Sequence, residues 1–96
     1  MASQVLIVRL LTGEEIIGSV DLIENPTELI IENPTRIQAA PNSQTGNIDV
    51  HLAPWMPMAE HKKVSINRAL VLCTMEPVVE IKNKFNSVFG SGLIIP

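Results

Sequence analysis

Aromatic residues are scarce in this sequence. They make up 3% of the 96 residues, with one Trp, two Phe and no Tyr, although 46% of the residues are hydrophobic. The apolar mass is therefore aliphatic, and its β-branched members favour pleated strands. A chain of this length supports one domain with a thin core. We expect part of its apolar surface to face another subunit.

Cysteine is almost absent. Cys73 is the only one, so an internal disulfide is excluded. Its place in the apolar run 69–73 predicts a buried, inert thiol. The sequence also lacks a basic leader at its start and an apolar run long enough to span a membrane. We therefore expect a soluble protein of the reducing cytoplasm, without a membrane partner.

Basic residues are few. Seven basic residues against ten acidic ones give a net charge of −3, and the longest basic run is Lys62-Lys63. This balance is a poor match to nucleic-acid binding. A small RNA site on one face stays open, because net charge describes the long-range field and not a local pocket.

No group of residues has the spacing of a catalytic or metal centre. Asp49 and His51 lie on one strand face, which is more typical of a surface or cross-strand pair than of acid–base catalysis. His51 and His61 are separated by a proline-broken loop, and no third metal ligand follows. We therefore expect a protein that is not an enzyme and that holds no metal or cofactor.

Apolar alternation and turn signals predict a mainly β domain that covers residues 1–96. Two Asn-Pro pairs, at 25–26 and 33–34, mark the turn after the second strand and a bulge within the third. A turn is expected at Asn67-Arg68. The predicted strands cover residues 4–11, 15–23, 28–39, 48–58 and 64–75.

The sequence changes to a helical period after the last strand. The spacing of Val78, Ile81, Phe85, Val88 and Phe89 predicts an amphipathic helix over residues 78–89. Gly90 is a suitable C-terminal stop. The aliphatic residues 93–95 that follow need a surface to pack on, such as a neighbouring subunit.

Two glycines are candidate structural residues. Gly13 falls in the turn between the first two strands. Gly18 falls inside the second strand, where glycine is destabilising by about 0.5–1 kcal/mol relative to Ala. A bend, a bulge or a close backbone approach is therefore expected at Gly18.

Trp55 is the only tryptophan, and Pro54 and Pro57 frame it. A rigid aromatic in this setting could stack on a base or anchor a partner. It could also cover the core or a subunit junction, which is the role we favour.

The hairpin resembles the first Sm motif through the pattern Val8-x-Leu10-x-x-Gly13-x-x-Ile16-x-Gly18-x-Val20. Residues 66–68 match the Ile-Arg-Gly turn of the second Sm motif, with Arg68 in the glycine place. The proline-framed segment 53–57 and the C-terminal residues look like Sm-like proteins encoded by tailed bacteriophages. The resemblance covers nearly the whole chain and implies a small, strongly bent five-stranded antiparallel Sm-like barrel with a C-terminal helix.

The resemblance also implies positions for an RNA site. Sm proteins that bind RNA hold a base with an Asp and an Asn after the second strand and an Arg from the last turn. Those places are taken here by Glu24, Glu28 and Asn67. A carboxylate in place of an amide weakens the case for RNA, because it sets an anion near phosphate. Arg68 could supply the missing cation.

A homo-oligomeric closed ring is implied as well, with roughly five to seven subunits. Residues 69–73 carry no charge and no proline, so this strand is poorly suited to be a bare edge. We expect it to pair with the fourth strand of a neighbour. The predicted interface residues are Ile48, Val50, Leu52, Leu70 and Leu72.

Two functions follow from these expectations. Glu28 and the acidic balance favour a ring that serves as an assembly or protein-interaction scaffold. The resemblance to Sm proteins that bind RNA favours an RNA-binding ring that acts as an RNA chaperone or in RNA processing. If a phage encodes the chain, its place of action would be the host cytoplasm.

Overall fold

The computed structural model describes residues 3–22, 25–60 and 62–89. These residues form an antiparallel sheet and one α-helix, which confirms the mainly β prediction with a C-terminal helix. The elements are β1 Ser3–Leu10, β2 Glu15–Asp21, β3 Glu28–Pro41, β4 Ile48–Pro54, β5 Lys63–Asn67, a 3₁₀ turn at Arg68–Leu70, β6 Val71–Met75 and α1 Val79–Phe89.

The strand order is β4-β3-β2-β1-β6, and β5 also pairs with β3. The long β3 therefore has one neighbour, β2, on one side and two on the other. Its first half pairs with β5, where Leu29 lies opposite Ile66. Its second half pairs with β4, where Ile37 lies opposite Leu52. Strands β4 and β5 therefore pair with consecutive parts of β3 along the same side.

The strand bounds differ from the expected ones in the last third of the chain. The strand expected at 48–58 ends at Pro54, and the interval 64–75 contains two strands separated by the 3₁₀ turn. Pro54 and Pro57 have no N–H to donate to a ladder, which ends the pairing of β4. Asn67 caps the 3₁₀ turn by accepting from the backbone N–H of Ala69 at 2.9 Å.

Gly18 lies at an irregularity of the β2–β3 ladder. The register shifts between Ile17 and Ser19, and on the facing strand Asn33 takes a left-handed φ of 56°. This is the bulge expected at the second Asn-Pro pair. Gly13 has a φ of 97° in the β1–β2 turn, a conformation that favours glycine.

The core lies on one face of the bent sheet. Cross-strand pairing sets Val8 beside Ile16 and Val20 beside Ile31, so their side chains meet on the same side. Full burial of each such side chain contributes about 1.5–3 kcal/mol. The buried cluster consists of Val8, Leu10, Ile16, Val20, Leu29, Ile31 and Ile66.

The opposite face of the sheet is covered as well. Ile17 and Thr35 are cross-strand partners on that face, and both are buried. Helix α1 runs beside β4: Ile81 borders a cavity with Val50. Phe85 of α1 is buried outside the core cluster, and its ring lies 5.0 Å from that of Phe89. We infer that α1 packs on this second face.

The thiol of Cys73 is exposed, so the expectation of a buried cysteine is wrong. Apolar neighbours in sequence do not bury a residue of an edge strand, and β6 pairs only with β1 in the part of the chain that the structure describes. The predicted stop at Gly90 and the packing of residues 93–95 lie outside the described residues.

Candidate functional site

The loop before β3 and the turn after β5 meet at one end of the sheet. Glu28 and Asn67 are cross-strand partners, and the backbone N–H of Arg68 donates to the carbonyl of Thr27 at 2.9 Å. Three of the four predicted RNA-site residues are therefore neighbours. The fourth, Glu24, lies outside the described residues.

Asn25 shapes the loop of this site. Its Oδ1 accepts from the backbone N–H groups of Thr27 and Glu28, each at 3.0 Å, and from the Thr27 hydroxyl at 3.2 Å. Such side-chain turns are typical of Asn before the start of a strand. Sequence reasoning identified Asn25-Pro26 only as a turn signal, although this loop also holds one wall of the site.

Each functional side chain of the site already has a partner within the chain. Glu28 accepts from the hydroxyl of Ser65 at 2.7 Å. Asn67 uses its side-chain oxygen to cap the 3₁₀ turn, and Arg68 Nε donates to the carbonyl oxygen of Asn25. This bond helps to hold the loop in place, but it uses only Nε, so the guanidinium group keeps its positive charge and its other N–H donors. A ligand would compete with these bonds only for the atoms that form them.

A second polar surface, beside the β1–β2 turn, carries charges of both signs. A depression beside the β1–β2 turn contains Arg9 and Arg36 together with Glu14 and Glu15. Arg9 and Glu15 form an exposed ion pair at 2.7 Å. Two carboxylates therefore accompany the two guanidinium groups, so this depression is a poor phosphate-binding surface.

The ends of the strand order form two different edges. Strands β4 and β6 each have a neighbour on one side within the described residues. On β6, and on the 3₁₀ turn before it, Leu72 and Leu70 are 60% and 53% exposed. Leu72 lies at a bulge, because Arg9 pairs with Cys73 and Leu10 pairs with Val71. This edge is apolar and open.

The residues predicted on β4 are less available than those on β6. Ile48 is exposed, whereas Val50 and Leu52 are half-buried. Ile48 and Val50 border a cavity shared with Ile81 of α1. The side chains of Ile48 and Val50 therefore lie on the side of the sheet that faces α1. Contact with a neighbour along β4 would rely mainly on its backbone N–H and C=O groups.

Trp55 occupies a structural position. Its backbone N–H donates to the carbonyl of Pro34 at 3.1 Å, and its indole Nε1 donates to Glu14 at 3.3 Å. The half-buried ring also packs against the core cluster. The sequence left two roles open for Trp55, a binding role and a role in covering the core or a subunit junction. The indole ring has the second role, since it covers the core.

The polar pair on β4 has a local role. The side-chain amide of Asn42 donates to Asp49 at 3.1 Å, across the β3–β4 loop. Among the described residues no group of three or more His, Cys, Asp or Glu side chains could hold a metal ion. His61 lies outside that part of the chain.

None of the helices within residues 3–22, 25–60 and 62–89 has the length and apolarity needed to cross a membrane.

A family model assigns the chain. The model described as Sm_like domain matches residues 7–86. The chain therefore belongs to the Sm-like family, as the hairpin motif had indicated. Sm-like domains generally form oligomeric rings and bind RNA, and they are generally not enzymes. A search of curated proteins gives no match.

Proposed function

We propose that the protein forms a homo-oligomeric ring that serves as a scaffold for assembly or for protein interaction. The observation that carries the proposal is the pair of open edges, β4 and β6, at opposite ends of the strand order. An open apolar edge such as β6 templates uncontrolled pairing unless another strand covers it.

The two edges suit a cyclic assembly. Because β4 and β6 are different surfaces, pairing one with the other is heterologous, and a constant rotation between subunits closes such contacts into a ring. Leu70, Leu72 and Met75 would lose water on contact, and Met75 is 65% exposed in the single chain. Strand β6 carries no charged side chain, so its side of the contact buries no charge, whereas β4 carries the exposed Asp49.

The polar site favours a scaffold over RNA recognition. Glu28 would present a carboxylate where an RNA-binding relative has an amide. One atom of each neighbouring side chain, Oδ1 of Asn67 and Nε of Arg68, is already used in a bond that holds the turn or the loop. Reading of a base would require donors and acceptors that are free to reach its edge.

RNA binding is the second candidate, and one observation favours it. Glu28, Asn67 and Arg68 meet at a single place, as the family resemblance implies. Fluorescence anisotropy with short uridine-rich and adenine-rich RNA would test it. Absence of salt-dependent binding at tens of micromolar protein would reject it. Binding that Arg68→Gln abolishes would support it.

Size-exclusion chromatography with light scattering tests the ring. At micromolar concentration we expect a single species of about five to seven subunits. Leu72→Lys should dissociate it, because the substitution sets an unpaired cation in an apolar contact. Met58→Lys is the matched control, since Met58 is 96% exposed and lies outside both edges. A monomer or simple dimer of the unsubstituted chain would refute the ring.

A further inference from the structure

The segment between β4 and β5 builds a groove beside the end of β4. The groove has a volume of about 490 Å³. This is within the range of pockets that hold drug-sized ligands, and it is enough for several aliphatic side chains. Its apolar walls include Pro34, Pro54, Met56, Pro57, Val64 and Phe89.

Backbone hydrogen bonds hold both ends of this segment against β3. The N–H of Trp55 donates to the carbonyl of Pro34 at 3.1 Å, and the N–H of Asn33 donates to the carbonyl of Lys62 at 2.6 Å. Within the segment, the N–H of Ala59 donates to the carbonyl of Met56 at 3.1 Å. Hydrogen bonds within a single chain therefore hold the walls of the groove in place.

The groove lies apart from the open apolar edge. Leu70 and Leu72 do not line it, and neither do Glu28 and Arg68 of the candidate RNA site. The groove is therefore a candidate docking surface distinct from the apolar edge of β6. The occupant must be mainly apolar to contact the apolar walls, although Asn33, Glu60, Lys62 and Lys63 also border the groove.

The chain itself supplies a segment of this character. Phe89, the last residue of α1, is part of the groove wall. Residues 90–92 follow with the sequence Gly-Ser-Gly, and then come Leu93, Ile94 and Ile95. We propose that the Leu93–Ile95 segment docks in this groove of the same chain.

The length and composition of the connection fit the proposal. Three residues span at most about 10–11 Å, so Leu93 cannot lie far from Phe89. Gly90 and Gly92 can adopt left-handed conformations, which allow the chain to reverse after the helix. Removal of aliphatic side chains from water favours docking on a nearby apolar surface over extension into solvent.

Cysteine cross-linking tests the proposal. In a Cys73→Ser background, Met56→Cys and Ile94→Cys should form an intrachain disulfide under mild oxidation, because docking brings their Cα atoms within about 7 Å. Mass spectrometry of the oxidised product identifies the bond. The matched control pairs Ile94→Cys with Ser43→Cys in the β3–β4 loop, and it should cross-link several-fold less.

Three results would overturn the proposal: no cross-link, equal cross-linking of the control pair, or a bond found only between chains. The last would assign the groove to the tail of a second copy. Repeating the experiment with Leu72→Lys separates this question from ring formation, since intrachain docking does not depend on the ring.

A second measurement does not require a disulfide. Ile94→Ser with Ile95→Ser should raise the binding of a hydrophobic dye several-fold by uncovering the groove, while circular dichroism shows an unchanged fold. Adding Met56→Lys to this variant should reverse most of the increase. Unchanged dye binding in the first variant would contradict the docking.

Discussion

Gly18 lies so close to Glu32 that a Cβ atom on the glycine would stand 3.0 Å from the carbonyl oxygen of Glu32. It would also stand 3.1 Å from a methyl group of Ile31. Gly18→Val should therefore destabilise the domain by about 1–3 kcal/mol, although Val has the higher strand propensity. Chemical denaturation measures the change, with Ser19→Ala as the control. An equal or higher midpoint for Gly18→Val would show that the ladder does not need this close approach.

Gly13 gives a second glycine test with a different cause. No atom lies within 4 Å of its Cβ position, and its φ is 97°. Gly13→Ala should therefore cost about 1 kcal/mol through backbone strain alone. Gly13→Asn should recover part of this loss, because Asn enters the left-handed region more readily. Equal stability of Gly13→Ala and the unsubstituted chain would contradict the strained turn.

Phe85 should be the main anchor of α1. It is 3% exposed, whereas Val88 on the same helix is 60% exposed. Phe85→Ala should lower the free energy of unfolding by about 3–5 kcal/mol. Val88→Ala should change it by less than about 0.5 kcal/mol in the monomer. Similar effects of the two substitutions, measured by thermal or chemical denaturation, would show that α1 is not packed through Phe85.

The Trp55–Glu14 hydrogen bond should stabilise the contact between the β1–β2 turn and the segment after β4. Trp55→Phe keeps an aromatic ring but removes the Nε1 donor, so we expect a loss of about 1 kcal/mol. A double-mutant cycle with Glu14→Ala isolates the bond, because the two effects should not add. Fully additive losses would mean that the bond contributes nothing measurable.

Local sequence patterns predicted the hairpin and the helix because their causes are local. Gly13 sets the β1–β2 turn, and the spacing from Ile81 to Phe89 sets the apolar face of α1. The pairing of β5 with β3 was not predicted, since it depends on β3 being long enough to pair with both β4 and β5. The proline signals at Pro54 and Pro57 were read as a stop to regular pairing, but not as the gap between two strands on one partner.

The candidate site was harder to predict than the fold. The Sm motif positions predicted Glu28, Asn67 and Arg68 as site residues, and the structure places these three residues next to one another. The commitment of Arg68 to the carbonyl of Asn25 has no sequence signal, because it joins residues distant in sequence through a backbone oxygen. The exposure of Cys73 could not be predicted from the local sequence either, because the burial of a strand depends on which elements pack beside it.

The pairing of β6 with β1 joins the first and last strands in the described part of the chain, with Ile7 opposite Met75. Contacts between such distant residues close a long loop and form slowly. Until they form, β1 is an open edge, and the last strand of another copy can take the vacant place. The 3₁₀ turn at Arg68–Leu70 connects β5 to β6, so an exchanged β6 would leave its own subunit after this turn. Rapid refolding at high protein concentration should therefore yield strand-swapped chains in addition to correctly closed subunits.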